Sequence, residues 1–348
     1  MIEEAYPNNF DSYIGQTKAK ETLKTVLDSM ERQINDLIKK DKKKASMFYP
    51  PSVLIVGPPG YGKTRLAQIY ASEILKLSQK NRWPIWVLKN KENIFQWNGG
   101  LPDAPYFFSS IEGKDLKTFQ ELDHYLYYLQ IQGVLFIDEF QTIPKKLHEY
   151  FLRIMSEQKY HSDISGEIID HYGFTLMGAT THEGRIFRPF LERFKLIINL
   201  EPYSQKEIGE IILYYINSFN YTINQDALDV LIDRSRDNPR NITQNIDMLL
   251  MIKKDKQITI QDAIKATELR GINENGLTDK DIRILEILNE YETVGADTLT
   301  EMIDAVDVEN YKLWERYLVS REYVMPTRSG RKITNKGKKA LENIKRSN

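Results

Sequence analysis

Eight consecutive residues, Gly57, Pro58, Pro59, Gly60, Tyr61, Gly62, Lys63 and Thr64, have the spacing G-x-x-x-x-G-K-[ST]. They follow the apolar run Val53–Val56, where a strand should end and a helix begin. Glycines at 57, 60 and 62 let the backbone curl so that its N–H groups point inward at phosphate oxygens. Lys63 has the reach for β- and γ-phosphates, and the Thr64 hydroxyl suits Mg²⁺. A helix starting near Lys63, with Arg65 in its first turn, turns its positive end toward the same anion. The expected ligand is a nucleoside triphosphate with its Mg²⁺.

Hydrolysis also needs a metal ligand and a group that orients the attacking water. Asp138 and Glu139 end a second apolar run, Val134–Ile137, and are the candidates for the two roles. Asp138 would hold Mg²⁺ directly or through water, and Glu139 would polarise the nucleophile. Thr181, with Thr180 second, ends a third run and would place a hydroxyl between Glu139 and the γ-phosphate. Arg193, in Arg188-Pro-Phe-Leu-Glu-Arg193-Phe194, faces a neighbour's nucleotide if the protein forms a ring, and would then neutralise transition-state charge in trans. Arg240 follows Asn238-Pro239 at a helix start and could reach back to the γ-phosphate.

The elements that must position these groups can be read from pattern. At 348 residues, two or three domains are expected. Hydrophobic content of 41% and charged content of 28% fit a globular protein. With no cysteine, disulfides and thiolate metal sites are excluded, and the five histidines are scattered. No run has the length of a membrane span and Met1–Phe10 lacks the shape of a signal peptide, so the default location is cytoplasmic, with no membrane partner. The net charge of −1 means that any nucleic-acid contact must come from local patches.

Leu23, Val26, Leu27, Met30, Ile34 and Leu37 recur at helical spacing within residues 11–40, and a solvated basic run, Lys39–Lys44, follows. Strand Val53–Val56 and helix Lys63–Leu77 form the first β-loop-α unit. Residues 78–112, with Trp83, Trp86 and Trp97, read as an irregular insertion carrying one or two strands. Then come helix 115–130, strand Val134–Ile137, helix 144–156, a hairpin over 158–174 flanked by His161 and His171, and a strand Phe174–Met177 leading into Gly178-Ala179-Thr180-Thr181. Alternating strands and helices imply an α/β fold with a parallel sheet covered on both faces.

Past Glu201 only helices are expected, near 204–218, 224–236, 239–253 and 260–268, the first with a capping box between Ser204 and Glu207. Residues 270–278 read as a linker. Three helices and a strand-turn-strand about Thr327-Arg328-Ser329-Gly330 then outline a winged helix. Arg328, Arg331 and Lys332 at the wing tip suit phosphate contacts that give affinity with little sequence reading. The expected division is 1–200 for nucleotide binding, 201–270 for a helical lid and 271–348 for a DNA-binding winged helix.

Together these segments resemble an AAA+ ATPase, and more narrowly the RuvB family of Holliday-junction branch-migration motors. Tyr13-Ile14-Gly15-Gln16 resembles the family's segment beside the adenine, so Tyr13 and Ile14 join the nucleotide-binding set by resemblance. Gly57–Thr64, Val134–Glu139 and Phe174–Thr181 continue the likeness, Arg193 takes the arginine-finger position, and Asn238-Pro239-Arg240-Asn241-Ile242 resembles the sensor-2 helix. Gly276-Leu277-Thr278-Asp279, Tyr317-Leu318-Val319 and Thr327–Arg331 are similar to the family's winged helix. The resemblance implies ATP and Mg²⁺ as cofactors, a hexameric ring on duplex or four-way-junction DNA, and a RuvA-like junction-binding partner docked on a β-hairpin. The alternative is an ATP-switched DNA-binding assembly factor, initiator or clamp-loader in type, that does not translocate. The chain departs from the family in Phe140-Gln141-Thr142, where Ile-His-Arg is usual, in Leu191 in place of an arginine, in a shorter hairpin near Tyr160–Tyr172, and in the 78–112 insertion. These departures bear on partner docking and junction specificity rather than on ATP chemistry.

Overall fold

Short apolar runs closed by turn residues become the strands of one sheet. β1 (Val53–Val56), β2 (Phe108–Glu112), β3 (Val134–Asp138), β6 (Thr175–Thr180) and β7 (Leu196–Asn199) lie in the order β2-β3-β6-β1-β7, every neighbouring pair parallel. In this computed structural model the described residues are 5–40, 50–80, 108–128, 134–157, 159–162, 166–170, 175–253, 255–305 and 308–347. The chain divides into two units, one spanning Tyr6–Tyr203 and the other beginning at Ser204.

In the first unit the three central strands are buried almost throughout. Such strands read as continuous Val/Ile/Leu runs because helices cover both faces. α1 (Thr17–Lys40) buries Leu23, Leu27, Met30 and Ile34, one stripe at helical spacing. α2 (Lys63–Lys80) follows the phosphate loop, and its fully buried Tyr70 hydroxyl meets Met30 of α1. α3 (Phe119–Tyr128) and α4 (Lys145–Glu157) contribute Leu122, Leu126, Leu147, Phe151 and Ile154 to a core with Leu135, Ile137 and Leu176 of the sheet. Each such side chain contributes on the order of 1.5–3 kcal/mol.

Several boundaries differ from expectation. β2 falls inside the segment read as an irregular insertion, yet it pairs with β3 along its whole length. It is an edge strand, Ser110 and Glu112 exposed and Ile111 buried, and its five residues include two serines and a glutamate, so its apolar signal is thin. The first three residues of that segment extend α2, and residues 81–107, with the three tryptophans, lie outside the described residues, as does most of the basic run after Lys40. β7, passed over in the sequence, closes the opposite edge against β1. The third strand starts at Thr175 and runs on through Gly178 to Thr180. Gly178 belongs in the strand because a Cβ there would sit 2.9 Å from both Leu54 Cδ1 and Phe140 Cδ2. The expected hairpin is present as β4 (Lys159–His161) paired antiparallel with β5 (Ile168–Asp170), and its remaining expected portion, including His171 and Tyr172, lies outside the described residues.

The second unit opens with the expected capping box. Ser204 N–H donates to Glu207 Oε2 at 2.8 Å, and Glu207 N–H donates to Ser204 Oγ at 3.3 Å. Helices α6 (Gln205–Ser218), α7 (Gln225–Asp233), α8 (Pro239–Ile252) and α9 (Ile260–Leu269) follow, with the two-residue strands β8 (Thr222–Ile223) and β9 (Gln257–Ile258) paired in parallel. Residues 270–278, expected as a linker, form a built turn. Asn273 Oδ1 accepts the N–H groups of Asn275 and Leu277, both at 2.9 Å, and Ile272 and Leu277 are buried. Helices α10 (Asp279–Tyr291), α11 (Ala296–Met302) and α12 (Val308–Ser320), strands β10 (Val324–Thr327) and β11 (Gly330–Ile333), and helix α13 (Asn335–Ser347) complete the winged helix.

The helical bundle is tied to the winged helix through Arg236 and Asp237, both left-handed at φ +58° and +52°. The Arg236 guanidinium forks onto the buried Asp281 carboxylate and lies 4.1 Å from the centre of the Tyr317 ring. Asp237 accepts from Arg321 at 3.4 Å. Among the described residues no helix is long and apolar enough to cross a membrane.

Candidate active site

The two motifs separated in sequence meet in space. β1 and β3 flank β6 and deliver the phosphate loop and the acidic pair to the same end of the sheet. Thr64 Oγ1 donates to Asp138 Oδ2 at 2.5 Å, and the other carboxylate oxygen accepts the Glu139 N–H at 2.9 Å. Lys63 is buried, its Nζ donating to Gly57 O at 2.9 Å and Pro58 O at 3.1 Å.

Phosphate-loop shape is enforced from outside. The Tyr13 hydroxyl lies 3.3 Å from Tyr61 O and 3.2 Å from Gly62 O, and Tyr203 donates its own hydroxyl to Tyr61 O at 3.1 Å. Gly62 has φ +88°, and a Cβ there would lie 2.5 Å from the Tyr13 oxygen. Backbone conformation and space thus both demand glycine. Gln16 closes the same segment by exchanging two hydrogen bonds with the Glu201 backbone, at 2.7 and 2.9 Å. Ile14 is half-buried beside these residues, Arg65 donates to Gln68 Oε1 at 2.9 Å and packs 4.7 Å from the Tyr6 ring, and Pro58, Pro59 and Gly60 form the partly exposed crest of the loop.

Glu139 occupies a left-handed conformation, φ +47° and ψ +49°, at the turn out of β3. A non-glycine residue there costs on the order of 1 kcal/mol. The turn directs the carboxylate toward the end of β6. Gln141 Nε2 donates to Glu139 Oε2 at 2.5 Å and to Thr181 Oγ1 at 3.1 Å, and Gln141 Oε1 accepts from the buried Thr180 hydroxyl at 2.5 Å. Thr181 also lies 3.3 Å from Glu139 Oε2. Both candidate threonines therefore join the acidic pair. Gln141 carried no role in the sequence reading; the only available signal was a polar residue two positions after the second acid.

Behind this layer Phe140 packs against Phe190 and Phe194, with ring centres 5.3 and 5.4 Å away. His148 stacks on Phe140 at 5.8 Å, and among the described residues neither of its ring nitrogens has a hydrogen-bond partner. Burial pushes the His148 imidazole down to about 4.

The donor set fits Mg²⁺ with a nucleotide. A hydroxyl and a carboxylate oxygen already adjoin, and among the described residues no group of three or more His, Cys, Asp or Glu side chains could hold a metal without the nucleotide's help. One carboxylate plus substrate phosphates is the usual way proteins bind this ion.

Residues 53–202 match the family described as ATPase family associated with various cellular activities (AAA), and residues 274–342 match the RuvB C-terminal winged helix domain. The chain carries an AAA ATPase domain followed by a RuvB-type winged helix. The Holliday junction branch migration complex subunit RuvB of Mycoplasma genitalium is 28% identical over 348 residues, covering 97% of this chain and 98% of that one. The protein of the same name from Thermotoga maritima is also 28% identical, over 353 residues, with 97% and 91% covered. The solved Thermotoga maritima RuvB Holliday junction branch migration motor superposes with a TM-score of 0.73 at 26% identity, covering 97% and 98% of the two chains.

The remaining expected site residues fall as follows. Arg193 is exposed just after α5 (Arg188–Leu191), and the adjacent Glu192 pairs with Arg188 at 3.6 Å. Arg240 lies in the second unit, exposed in the first turn of α8, where its backbone N–H donates to the capping Asn238 Oδ1 at 2.9 Å. Arg328 and Lys332 are exposed at the wing. Arg331 is otherwise engaged: its guanidinium forks onto Glu315 at 2.5 and 3.1 Å, which makes it a brace between wing and α12 rather than the free wing-tip cation expected from sequence.

Proposed function

We propose that this chain is an ATP-driven DNA motor that moves the arms of four-way junctions, in recombination and repair. The observation that carries the reading is the combination, on one chain and in the same order as in the RuvB relatives, of an AAA site whose acids adjoin the phosphate loop and a RuvB-type winged helix.

In this reading Lys63 moves from the loop carbonyls to the β- and γ-phosphates, and Thr64 and Asp138 would hold Mg²⁺, which would supply charge neutralisation. Glu139 orients the attacking water and accepts its proton. Thr181 steadies the γ-phosphate oxygens from the end of β6. Arg193, exposed and without an ion pair among the described residues, acts in trans on the next subunit of a hexameric ring. Arg240 reports the nucleotide state to the second unit. Tyr13 and Ile14 line the adenine. Arg328 and Lys332 supply phosphate contacts on duplex or junction DNA. A RuvA-like junction-binding partner and a cytoplasmic location go with the same reading.

The test is ATP turnover and movement of a labelled four-way junction by the full chain. Glu139→Gln should bind ATP and turn it over at least about a hundredfold more slowly, and Lys63→Ala should lose nucleotide binding. ATP-dependent DNA binding with no junction movement by the unaltered chain would replace the motor with an ATP-switched assembly factor.

A further inference from the structure

We infer that Gln141 is a positioning residue for ATP hydrolysis, fixing Glu139 through one carboxylate oxygen so that the other faces the water. This rests on the reading of Glu139 as the group that activates water. The amide's orientation is dictated by chemistry. A carboxylate beside a threonine hydroxyl accepts hydrogen bonds, so the nitrogen, not the oxygen, of the Gln141 amide must face Glu139. The amide oxygen then takes the Thr180 proton at 2.5 Å, and the nitrogen's second bond goes to Thr181 at 3.1 Å. Thr180 is fully buried and in turn accepts the His182 N–H at 3.1 Å, which anchors the far end of the chain of bonds in the backbone beyond β6.

The consequence lies at Glu139. Its Oε2 is held by Gln141 at 2.5 Å, with Thr181 at 3.3 Å, while among the described residues Oε1 accepts no hydrogen bond. Of the two oxygens, the unengaged one is the proton acceptor. Because the carboxylate stands on a left-handed backbone turn, its direction is not secured by helix or strand geometry. A side chain from the following turn, bonded to two residues of β6 and its end, supplies that constraint. A misplacement of an acid–base group by about 1 Å is enough to cost about a hundredfold in rate.

Two variants test it in the full chain. Gln141→Leu removes the donors and acceptor at similar size. Gln141→Glu keeps the shape and an acceptor for Thr180 but has no N–H for Glu139. In both, kcat for ATP is expected to fall about 10- to 100-fold while KM stays within about threefold, the split expected when ground-state binding is untouched. Combining Gln141→Leu with Thr181→Val should cost less than the product of the single losses, since both act on the same carboxylate. Nucleotide affinity and thermal unfolding are measured alongside, and if the leucine variant fails to fold the isosteric glutamate variant decides. Wild-type or raised kcat in a folded variant, or a loss confined to KM, overturns the role. Glu139→Gln separates this from the broader reading: if that variant still hydrolyses ATP, the assignment of Glu139 falls; if it is dead while the Gln141 variants are unimpaired, only the positioning role falls.

Discussion

Thr64 and Asp138, 74 residues apart in sequence, share a 2.5 Å hydrogen bond between hydroxyl and carboxylate. A residue that binds Mg²⁺ through its oxygen must keep that oxygen, whatever else changes. Thr64→Ser is therefore expected to hold ATP turnover within about threefold, and Thr64→Val to lose it by at least about a hundredfold at limiting Mg²⁺. Titrating Mg²⁺ against ATPase rate checks this; equal activity of the serine and valine forms would remove Thr64 from the metal site.

Gly62 offers a two-part test. Its alanine variant meets the Tyr13 hydroxyl and also a left-handed backbone at φ +88°. Nucleotide affinity should fall in Gly62→Ala. Adding Tyr13→Phe should restore only part of it, because the backbone term of about 1 kcal/mol remains. Full restoration in the double variant, measured by fluorescent-nucleotide titration, would show that the strained conformation is irrelevant.

His148 ties stability to pH. Its imidazole is held at about 4 by burial, against an ordinary value of 6.5. Between those values the unfolded chain binds the proton and the folded chain does not, so stability falls as pH drops from 6.5 toward 4 and this contribution is flat outside that window. The loss is on the order of 3 kcal/mol. His148→Leu should remove that part of the slope in urea unfolding at pH 7 and pH 4.5.

Arg236 and Asp281 form a pair in which the acid is fully buried. Arg236→Ala leaves that charge uncompensated and should cost about 3–5 kcal/mol. Asp281→Asn in the same chain keeps a cap for Thr278, whose N–H and hydroxyl lie 2.7 and 2.6 Å from the acid, and should recover part of the loss. Denaturant unfolding of the single and double variants would settle whether the effect is the orphaned charge.

The wing cations should separate under salt. In the proposed DNA reading, Arg328→Ala and Lys332→Ala each lower duplex affinity and reduce the salt slope by about 1. Arg331→Ala should leave the slope alone and lower stability, because Glu315 loses its cationic partner and keeps only the Tyr311 hydroxyl. A reduced slope from Arg331→Ala would return that residue to the DNA surface.

What the sequence disclosed follows from where each signal lives. The phosphate loop and the Asp138–Glu139 pair are local spacings beside continuous apolar runs, and the Ser204–Glu207 box is a three-residue rule, so they could be read directly. β2 could not, because an edge strand with two serines and a glutamate owes its place to pairing rather than to composition, whereas the Leu-Ile-Ile run of β7 carried a signal that was passed over. Arg331 looked like a free cation since nothing in the wing sequence announces Glu315, sixteen residues earlier on α12. Gln141 was invisible for the same reason: its partners Thr180 and Thr181 come from another strand.

Two hydroxyls converge on the carbonyl of Tyr61, one from Tyr13 and one from Tyr203, donors 190 positions apart. Anyone excising the nucleotide-binding half for crystallography or drug screening inherits that arrangement. A clone cut at Pro50, just before the sheet begins, would forfeit one guy-rope, and a clone stopped at Leu200 the other. The smallest faithful fragment carries both flanks.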